Sequence, residues 1–289
     1  MTTRFAPSPT GPLHLGHAFS AMLAFDTARN FGGAFLLRIE DIDTTRSRQV
    51  WEHQIYSDLA WLGLNWPQPV MRQSARMMRY QSVLKQLWGM GLLYPCTCTR
   101  RDISMALSAP QEGAEPNFGP DGPGYPGTCR PDHAFRPSGA LPTDAALRLN
   151  MAAALHRIPS GHLTFNECGR GPSDQSGVIT TDDHTAIQEI GDVVLARRDI
   201  GASYHLAVVV DDADQGITRV IRGEDLFSAT PIHVVLQSIL GFSTPEYHHH
   251  RLVRDSSGKR LAKRDDARAI ETFRTEGMTP DQIREMVGL

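Results

Sequence analysis

Two histidines three residues apart, His14 and His17, follow a run dense in turn formers, Pro7-Ser8-Pro9-Thr10-Gly11-Pro12. From Leu13, apolar residues recur at helical spacing through Ala18, Met22 and Phe25, while Thr2–Ala6 reads as a short buried strand. A strand, a Gly/Pro loop and a helix N-terminus gather unpaired backbone N–H groups and the positive end of a helix dipole, which suits phosphate. In that first turn His14 and His17 share a face and can donate to one anion. Gly16 between them removes a side chain where a flat ligand could approach the backbone. A second cluster, Arg38-Ile39-Glu40-Asp41-Ile42-Asp43, ends an apolar run. A third is Cys96-x-Cys98 with Cys129 thirty-one residues on. This spacing fits a metal site better than a disulfide framework. A closed tetrahedral zinc site needs a fourth ligand, for which chemistry alone would choose His133 or else Cys168. A fourth cluster is the basic stretch Gly258-Lys259-Arg260-Leu261-Ala262-Lys263-Arg264.

The elements that must position these groups alternate between strand and helix. Gly32-Gly33 ends the first helix, and Ala34–Ile39 is the second strand of a βαβ unit. Ligands of open α/β sheets bind beyond the carboxyl ends of the strands, so Glu40 is placed to face one, whereas Asp43 reads as a helix cap. Helices are predicted over about Ser47–Leu62, with Val50, Ile55, Leu59 and Leu62 inward, and Ser74–Met90. Residues 108–142, rich in Pro and Gly, read as a long loop that needs a staple. Short strand-like pieces, Leu147–Met151, His162–Asn166 and Gly177–Ile179, look like an inserted antiparallel module. Tyr204–Val210 and Ile217–Ile221 then read as buried strands, Thr230–Leu240 as a helix, and two short helices close the chain near Ile270 and Gln282. In the run Tyr247-His248-His249-His250, adjacent strand residues face opposite ways, so it makes a poor metal cage.

At 289 residues, with 40% hydrophobic and 21% charged residues, the chain has the composition of a globular protein of about two domains' worth. No apolar run approaches a membrane span and no signal-peptide core is present, so a cytoplasmic location is expected. The net charge of −3 means that any RNA contact must rest on local basic groups. Arg148, Arg157, Arg170, Arg197 and Arg198 are candidates for phosphates, although scattered arginines are more often ordinary surface charge.

The string Phe5-Ala6-Pro7-Ser8-Pro9-Thr10-Gly11-Pro12-Leu13-His14-Leu15-Gly16-His17 resembles the HIGH motif of class I aminoacyl-tRNA synthetases in its glutamate-specific form. The Arg-x-Glu-Asp-x-Asp string at Arg38, Tyr204-His205-Leu206-Ala207 and Arg222-Gly223-x-Asp225-Leu226 resemble the same family, and Arg260–Arg264 is similar to its KMSKS loop, with Arg260 and Ala262 where lysine and serine are commoner. The resemblance implies a Rossmann-type parallel α/β catalytic domain that adenylates L-glutamate with ATP and Mg²⁺. Arg4, Phe5, Ala6, Pro7, Ser8, Glu40, Tyr204 and Arg222 would bind glutamate. Glu40 would meet its amino group, and Arg222 and Tyr204 its side-chain carboxylate. His14, Gly16, His17, Arg260 and Lys263 would bind ATP, with His14, His17 and Lys263 stabilising the transition state.

Over nearly its whole length the chain resembles the truncated paralogues of glutamyl-tRNA synthetase that pass glutamate to queuosine at the wobble position of tRNA(Asp). Those paralogues carry Cys-x-Cys followed by Tyr-x-x-x-Cys, a spacing matched by Tyr125-Pro126-Gly127-Thr128-Cys129. The resemblance therefore makes Cys96, Cys98, Tyr125 and Cys129 the ligands of one structural zinc, with His133 as the rival fourth. The domain reading is a first catalytic half at 1–91, an inserted zinc-containing α+β acceptor-type module at 92–191 and a second catalytic half at 192–256. The KMSKS-like loop and short C-terminal helices follow at 257–289. Only 26 residues follow Lys263, too few for an anticodon-binding domain of about 100. A monomer is expected. The alternatives are a short glutamyl-tRNA synthetase that charges the tRNA 3′ end and a non-catalytic synthetase-like binding module.

Overall fold

The computed structural model describes residues 1–108, 118–120, 122–131, 139–158, 163–198, 201–254 and 268–289. Its first unit is β1 (Thr2–Phe5), α1 (Leu15–Asn30) and β2 (Ala34–Ile39), the two strands pairing in parallel with Thr2 opposite Ala34 and Phe5 opposite Leu37. α1 buries Ala18, Ala21, Ala24 and Ala28 between Met22 and Phe25, so small residues let the helix close onto the sheet. α2 (Gln49–Trp61), the short β3 (Met71–Arg72) beside β2, and α3 (Met77–Gly89) follow. Ile55, Leu59 and Leu62 are buried as their spacing predicts. Val50, expected inward, is 63% exposed, because it lies in the first turn of α2, on the side away from Ile55 and Leu59. Asp43 does not cap this helix: it accepts from Thr45 and Arg46 in the preceding turn.

β4 (Leu93–Cys96) leads to α4 (Arg100–Ser108), the small hairpin of β5 (Phe118–Gly119) and β6 (Gly122–Pro123), β7 (Ala146–Leu149) and α5 (Met151–Leu155). After β8 (Leu163–Glu167), β9 (Gly177–Thr181) and the single turn α6 (Asp183–Thr185) comes β10 (Val194–Ala196). β4, β7 and β10 form one antiparallel sheet in the order β10-β7-β4. The 163–167 piece, read from sequence as part of an inserted antiparallel module, belongs elsewhere.

α7 (Tyr204–Asp214), β11 (Arg219–Gly223), α8 (Thr230–Leu240) and β12 (Glu246–His250) follow, and β11 and β12 form the parallel core of a second sheet, in the order β11-β12-β8-β9, beside β1-β2-β3. β11 pairs with β12, β12 pairs with β8, and β9 adds an antiparallel edge. β11 also lies alongside β1, where the Thr218 N–H donates to the Thr2 carbonyl at 3.0 Å. Tyr204–Val210, expected as a strand, is the body of α7. The helix is buried nearly all round, so its sequence carries no amphipathic period, and three consecutive valines mimic a strand. The signal that it is helical is Ser203, whose hydroxyl caps the Leu206 N–H. α9 (Ile270–Thr275) and α10 (Pro280–Val287) pack beside α1 and α2; Arg284 of α10 pairs with Asp26 at 2.6 Å.

Asp58 of α2 is fully buried facing α9, with neither carboxylate oxygen hydrogen-bonded and the nearest Arg274 nitrogen 3.7 Å away. Burial pushes its pKa up to about 6. A carboxyl raised above its unfolded value binds its proton more tightly in the folded state, so its contribution falls as pH rises from about 4 through 6. Relative to the parent, Asp58→Asn should gain on the order of 2–3 kcal/mol in stability between pH 4 and pH 7.5. Thermal unfolding of both proteins across that range checks the sign.

Candidate active site

A cavity of about 420 Å³ opens at the carboxyl ends of β1, β2 and β11. It collects Arg4, Phe5, Ala6, Pro7 and Ser8 from the end of β1 and its loop, His14, Gly16 and His17 from the start of α1, Glu40 beyond β2, Tyr204 from α7, and Arg222 from β11. Arg260 and Lys263 lie outside the described residues. The far wall adds Ser20, Gly223, Asp225, Leu226, His250, Leu252 and Val253, which sequence reasoning did not assign to the site.

The N-terminus of α1 is built by the two histidines. His14 is the N-cap, its Nδ1 accepting from the Gly16 N–H at 3.1 Å, and His17 Nδ1 accepts from the His14 N–H at 3.1 Å. A ring nitrogen that accepts carries no proton, so both neutral rings hold theirs on Nε2. The rings lie 3.9 Å apart, a pair of N–H donors at a helix N-terminus. Gly16 also serves the helix cap: a Cβ there would stand 3.0 Å from the His14 ring, so the missing side chain admits the capping imidazole.

Beneath the cavity two arginines share one carboxylate. Arg4 reaches Asp212 of α7 at 3.1 and 3.3 Å and the Ile221 carbonyl at 3.2 Å. Arg38 reaches the same Asp212 at 2.6 Å and extends to Glu40 at 3.0 Å. Burial raises Asp212, but Arg4 and Arg38 outweigh it and hold the carboxyl below its ordinary range. For Glu40 burial wins over Arg38, and its pKa is raised. An ammonium group arriving beside Glu40 would favour its charged form.

Arg222 is treated differently. It donates to His249 Nε2 at 3.1 Å, His233 Nδ1 at 3.1 Å and Thr230 Oγ1 at 2.8 Å, all uncharged acceptors. The ion pair with Glu224 or Asp225 that would make it merely structural is not formed. Tyr204 stands on the same cavity wall. The histidine run divides as strand alternation requires: His249 faces Arg222, and His250 bonds Ser20 of α1 at 2.8 Å.

About the cysteines, Cys96, Cys98 and Cys129 bring their sulfurs within 4.8 Å of one another, and Tyr125 is buried among them. The Tyr125 oxygen lies 3.4 Å from Cys96 Sγ and 3.7 Å from Cys98 Sγ, while Cys98 and Cys129 are 3.4 Å apart. Ligands about 2.3 Å from a tetrahedral centre stand roughly 3.8 Å from one another, so these four donors fit a metal ion. The Cys129 N–H donates to the Tyr125 oxygen at 2.7 Å, and the Arg148 guanidinium lies 3.7 Å above its ring. Burial and the neighbouring sulfurs outweigh the N–H and push the phenol pKa well above its ordinary value, so a bound cation would have to supply the pull toward a phenolate. Arg148, a candidate for RNA phosphate, is thus committed to the interior, bonding the Asp192 carbonyl at 2.8 Å. His133 lies outside the described residues, and Cys168 is exposed and far along the chain beside β8.

The family model of the class I tRNA synthetases (E and Q), catalytic domain, matches residues 1–116 and 174–289. The chain belongs to that family. A glutamyl-Q tRNA(Asp) synthetase of Rhodobacter capsulatus is 57% identical over 289 residues, all of both chains. One of Nocardia farcinica is 41% identical over 284 residues, covering 97% of this chain and 81% of its own. Among solved structures, a glutamate tRNA ligase of Elizabethkingia meningosepticum in complex with its amino acid superposes with a TM-score of 0.75 at 27% identity. It covers 100% of this chain, which spans 60% of that ligase. Methionyl-tRNA synthetase of Mycobacterium tuberculosis, at 10% identity and a TM-score of 0.62, shares the fold.

Within this class I synthetase, the supports of the site were the part hidden from sequence reasoning. Asp211 and Asp212 directly follow Tyr204–Val210, which reads from sequence as a strand. As part of α7 they become buried anchors, Asp211 receiving Gln73 at 3.1 Å, Arg76 at 2.7 Å and Tyr80 at 2.8 Å. Removing the shared carboxylate with Asp212→Asn should lower the unfolding free energy by about 3–5 kcal/mol, since two buried guanidiniums lose it together. The half-exposed Asp214→Asn should cost under about 1 kcal/mol. Urea denaturation of the two variants measures the contrast.

Proposed function

We propose that this chain is a ligase that activates L-glutamate with ATP and transfers the glutamyl group to queuosine at the wobble position of tRNA(Asp). The observation that carries the first half is the single cavity joining Glu40, Tyr204 and Arg222 to the two imidazole donors at the α1 N-terminus. Relatives named glutamyl-Q tRNA(Asp) synthetase, one matching over the whole chain, support the second half.

In this reading the Arg222 guanidinium takes the γ-carboxylate of glutamate and Tyr204 bonds the same group. The Glu40 carboxylate accepts from the α-ammonium, and Arg4 and Ser8 hold the substrate against the β1 loop. The α-carboxylate oxygen attacks the α-phosphorus of ATP, forming a mixed anhydride as the bond to pyrophosphate breaks. The Nε2–H groups of His14 and His17 donate to the phosphate oxygens on which charge grows. Lys263 and Arg260 are assigned to the departing pyrophosphate. Mg²⁺ accompanying ATP supplies further neutralisation of phosphate charge. A hydroxyl of the RNA then attacks the glutamyl carbonyl, and AMP leaves.

The cysteine cluster we assign to one structural zinc held by Cys96, Cys98, Tyr125 and Cys129. The supporting observation is the convergence of four donors on the edge of the β10-β7-β4 sheet. That sheet, with β4 and β7 inside the 92–191 segment and β10 just beyond it, is the part we assign to RNA. Reduced thiolates fit a cytoplasmic setting, and among the described residues no helix is long and apolar enough to cross a membrane.

Labelled glutamate, supplied with ATP, should transfer to bulk tRNA from queuosine-containing cells and not to tRNA from queuosine-free cells. Equal labelling of both would mean charging at the 3′ end, and none on either would refute the ligase. Elemental analysis should find one zinc per chain, lost in Cys129→Ser; metal-free parent protein would remove the zinc assignment.

A further inference from the structure

Arg222 is buried, yet among the described residues it is bonded to no carboxylate. An arginine only donates, so His249 Nε2 and His233 Nδ1 must both present lone pairs to it, and each ring must carry its proton on the other nitrogen. Those protons have partners. His249 Nδ1 lies 2.5 Å from Glu167 Oε2, both side chains fully buried, and His233 Nε2 lies 3.0 Å from His205 Nδ1. Glu167 is itself fixed, its Oε1 accepting the backbone N–H groups of His249 and Gly169 at 2.8 Å each. Three of the five Arg222 N–H groups are consumed in this way, leaving one on each terminal nitrogen.

We propose that Glu167, acting through His249, is a positioning residue for glutamate: it sets the ring tautomer that keeps Arg222 anchored through Nε while two terminal N–H groups are left for the γ-carboxylate. The proposal rests on the reading of Arg222 as the partner of that carboxylate. It explains why the arginine is surrounded by neutral acceptors rather than acids. A carboxylate in direct contact would compete with the substrate for the same charge, whereas one relayed through an imidazole orients the guanidinium and leaves its free edge to be neutralised by the ligand. The Glu167–His249–Arg222 line runs across β8, β12 and β11, so three parallel strands hold it rigid.

Glu167→Gln tests it, because the change is nearly isosteric. The two backbone N–H groups keep the amide oxygen on the Oε1 side, so the amide NH₂ must face His249 Nδ1. The ring then takes its proton on Nε2 and opposes Arg222 Nε–H with a second donor. The KM for glutamate should rise about 10- to 100-fold, with the KM for ATP within about twofold. In an Arg222→Lys background Glu167→Gln should add little, because its effect passes through the guanidinium. An unchanged glutamate KM in a folded Glu167→Gln protein overturns the proposal, as does a parallel rise for glutamate and ATP that persists in the Arg222→Lys background. If Arg222→Lys by itself leaves the glutamate KM unchanged, the reading of Arg222 fails and takes the proposal with it. Ring nitrogen NMR of the unaltered protein needs no variant to fold: His249 should carry its proton on Nδ1, and finding it on Nε2 rules the relay out.

Discussion

The site depends on one buried carboxylate. Asp212 on α7 meets Arg4 from β1 and Arg38 from β2, so the first βαβ unit and the second half of the sheet are joined by charge where the cavity floor must be firm. Two guanidiniums buried at the ends of adjacent strands would repel and lack solvation; the shared acid offsets both costs, and Glu40 extends the chain of charge to the cavity. Asp211, one residue earlier on the helix, performs the same service for Arg76, Gln73 and Tyr80 behind it. Arg4, Arg38 and, through Arg38, Glu40 are thus tied to the seating of α7.

The two cavity arginines show how environment divides labour between identical side chains. Arg4 spends its charge on an interior acid and so serves as scaffold in the cavity wall. Arg222 is bonded by two neutral imidazoles and a hydroxyl, so its positive charge stays available to an arriving anion. Across the cavity the capping histidines apply the same economy: each uses Nδ1 to close the helix end and keeps Nε2–H as a donor. Capping is therefore done by one side of each ring, and the other side carries the N–H.

The cysteine cluster sits where chain geometry alone would leave a weak edge. β4 ends at Cys96 and the chain returns to β7 only at Ala146, with proline and glycine between. Tyr94 bonds Asp192, which also takes Arg130 at 2.6 Å, and this ties the cluster to the β10-β7-β4 sheet from the protein side. A cation among the four donors would add the remaining cross-link.

Much of the chemistry was legible in the residues. The strand–loop–helix at His14, the acidic end of β2, and the Arg222 and Tyr204 motifs all predicted groups that the cavity brings together, because each is a local pattern whose backbone context is set by its own neighbours. The parallel strands β1, β2 and β11, the α8 helix and the two C-terminal helices were readable for the same reason. What only the tertiary structure decided were the long-range partners. Tyr204–Val210 became a helix because it is enclosed on all sides, which erases the amphipathic period a sequence can display. The 163–167 strand joined the parallel sheet through a pairing some eighty residues away. Asp212 and Glu167 acquired their roles from arginines and histidines far along the chain. A sequence specifies which side chains can donate, accept or carry charge; which of them meet in a low-dielectric interior, and so which charge is spent on the fold and which is left for a ligand, is settled by packing.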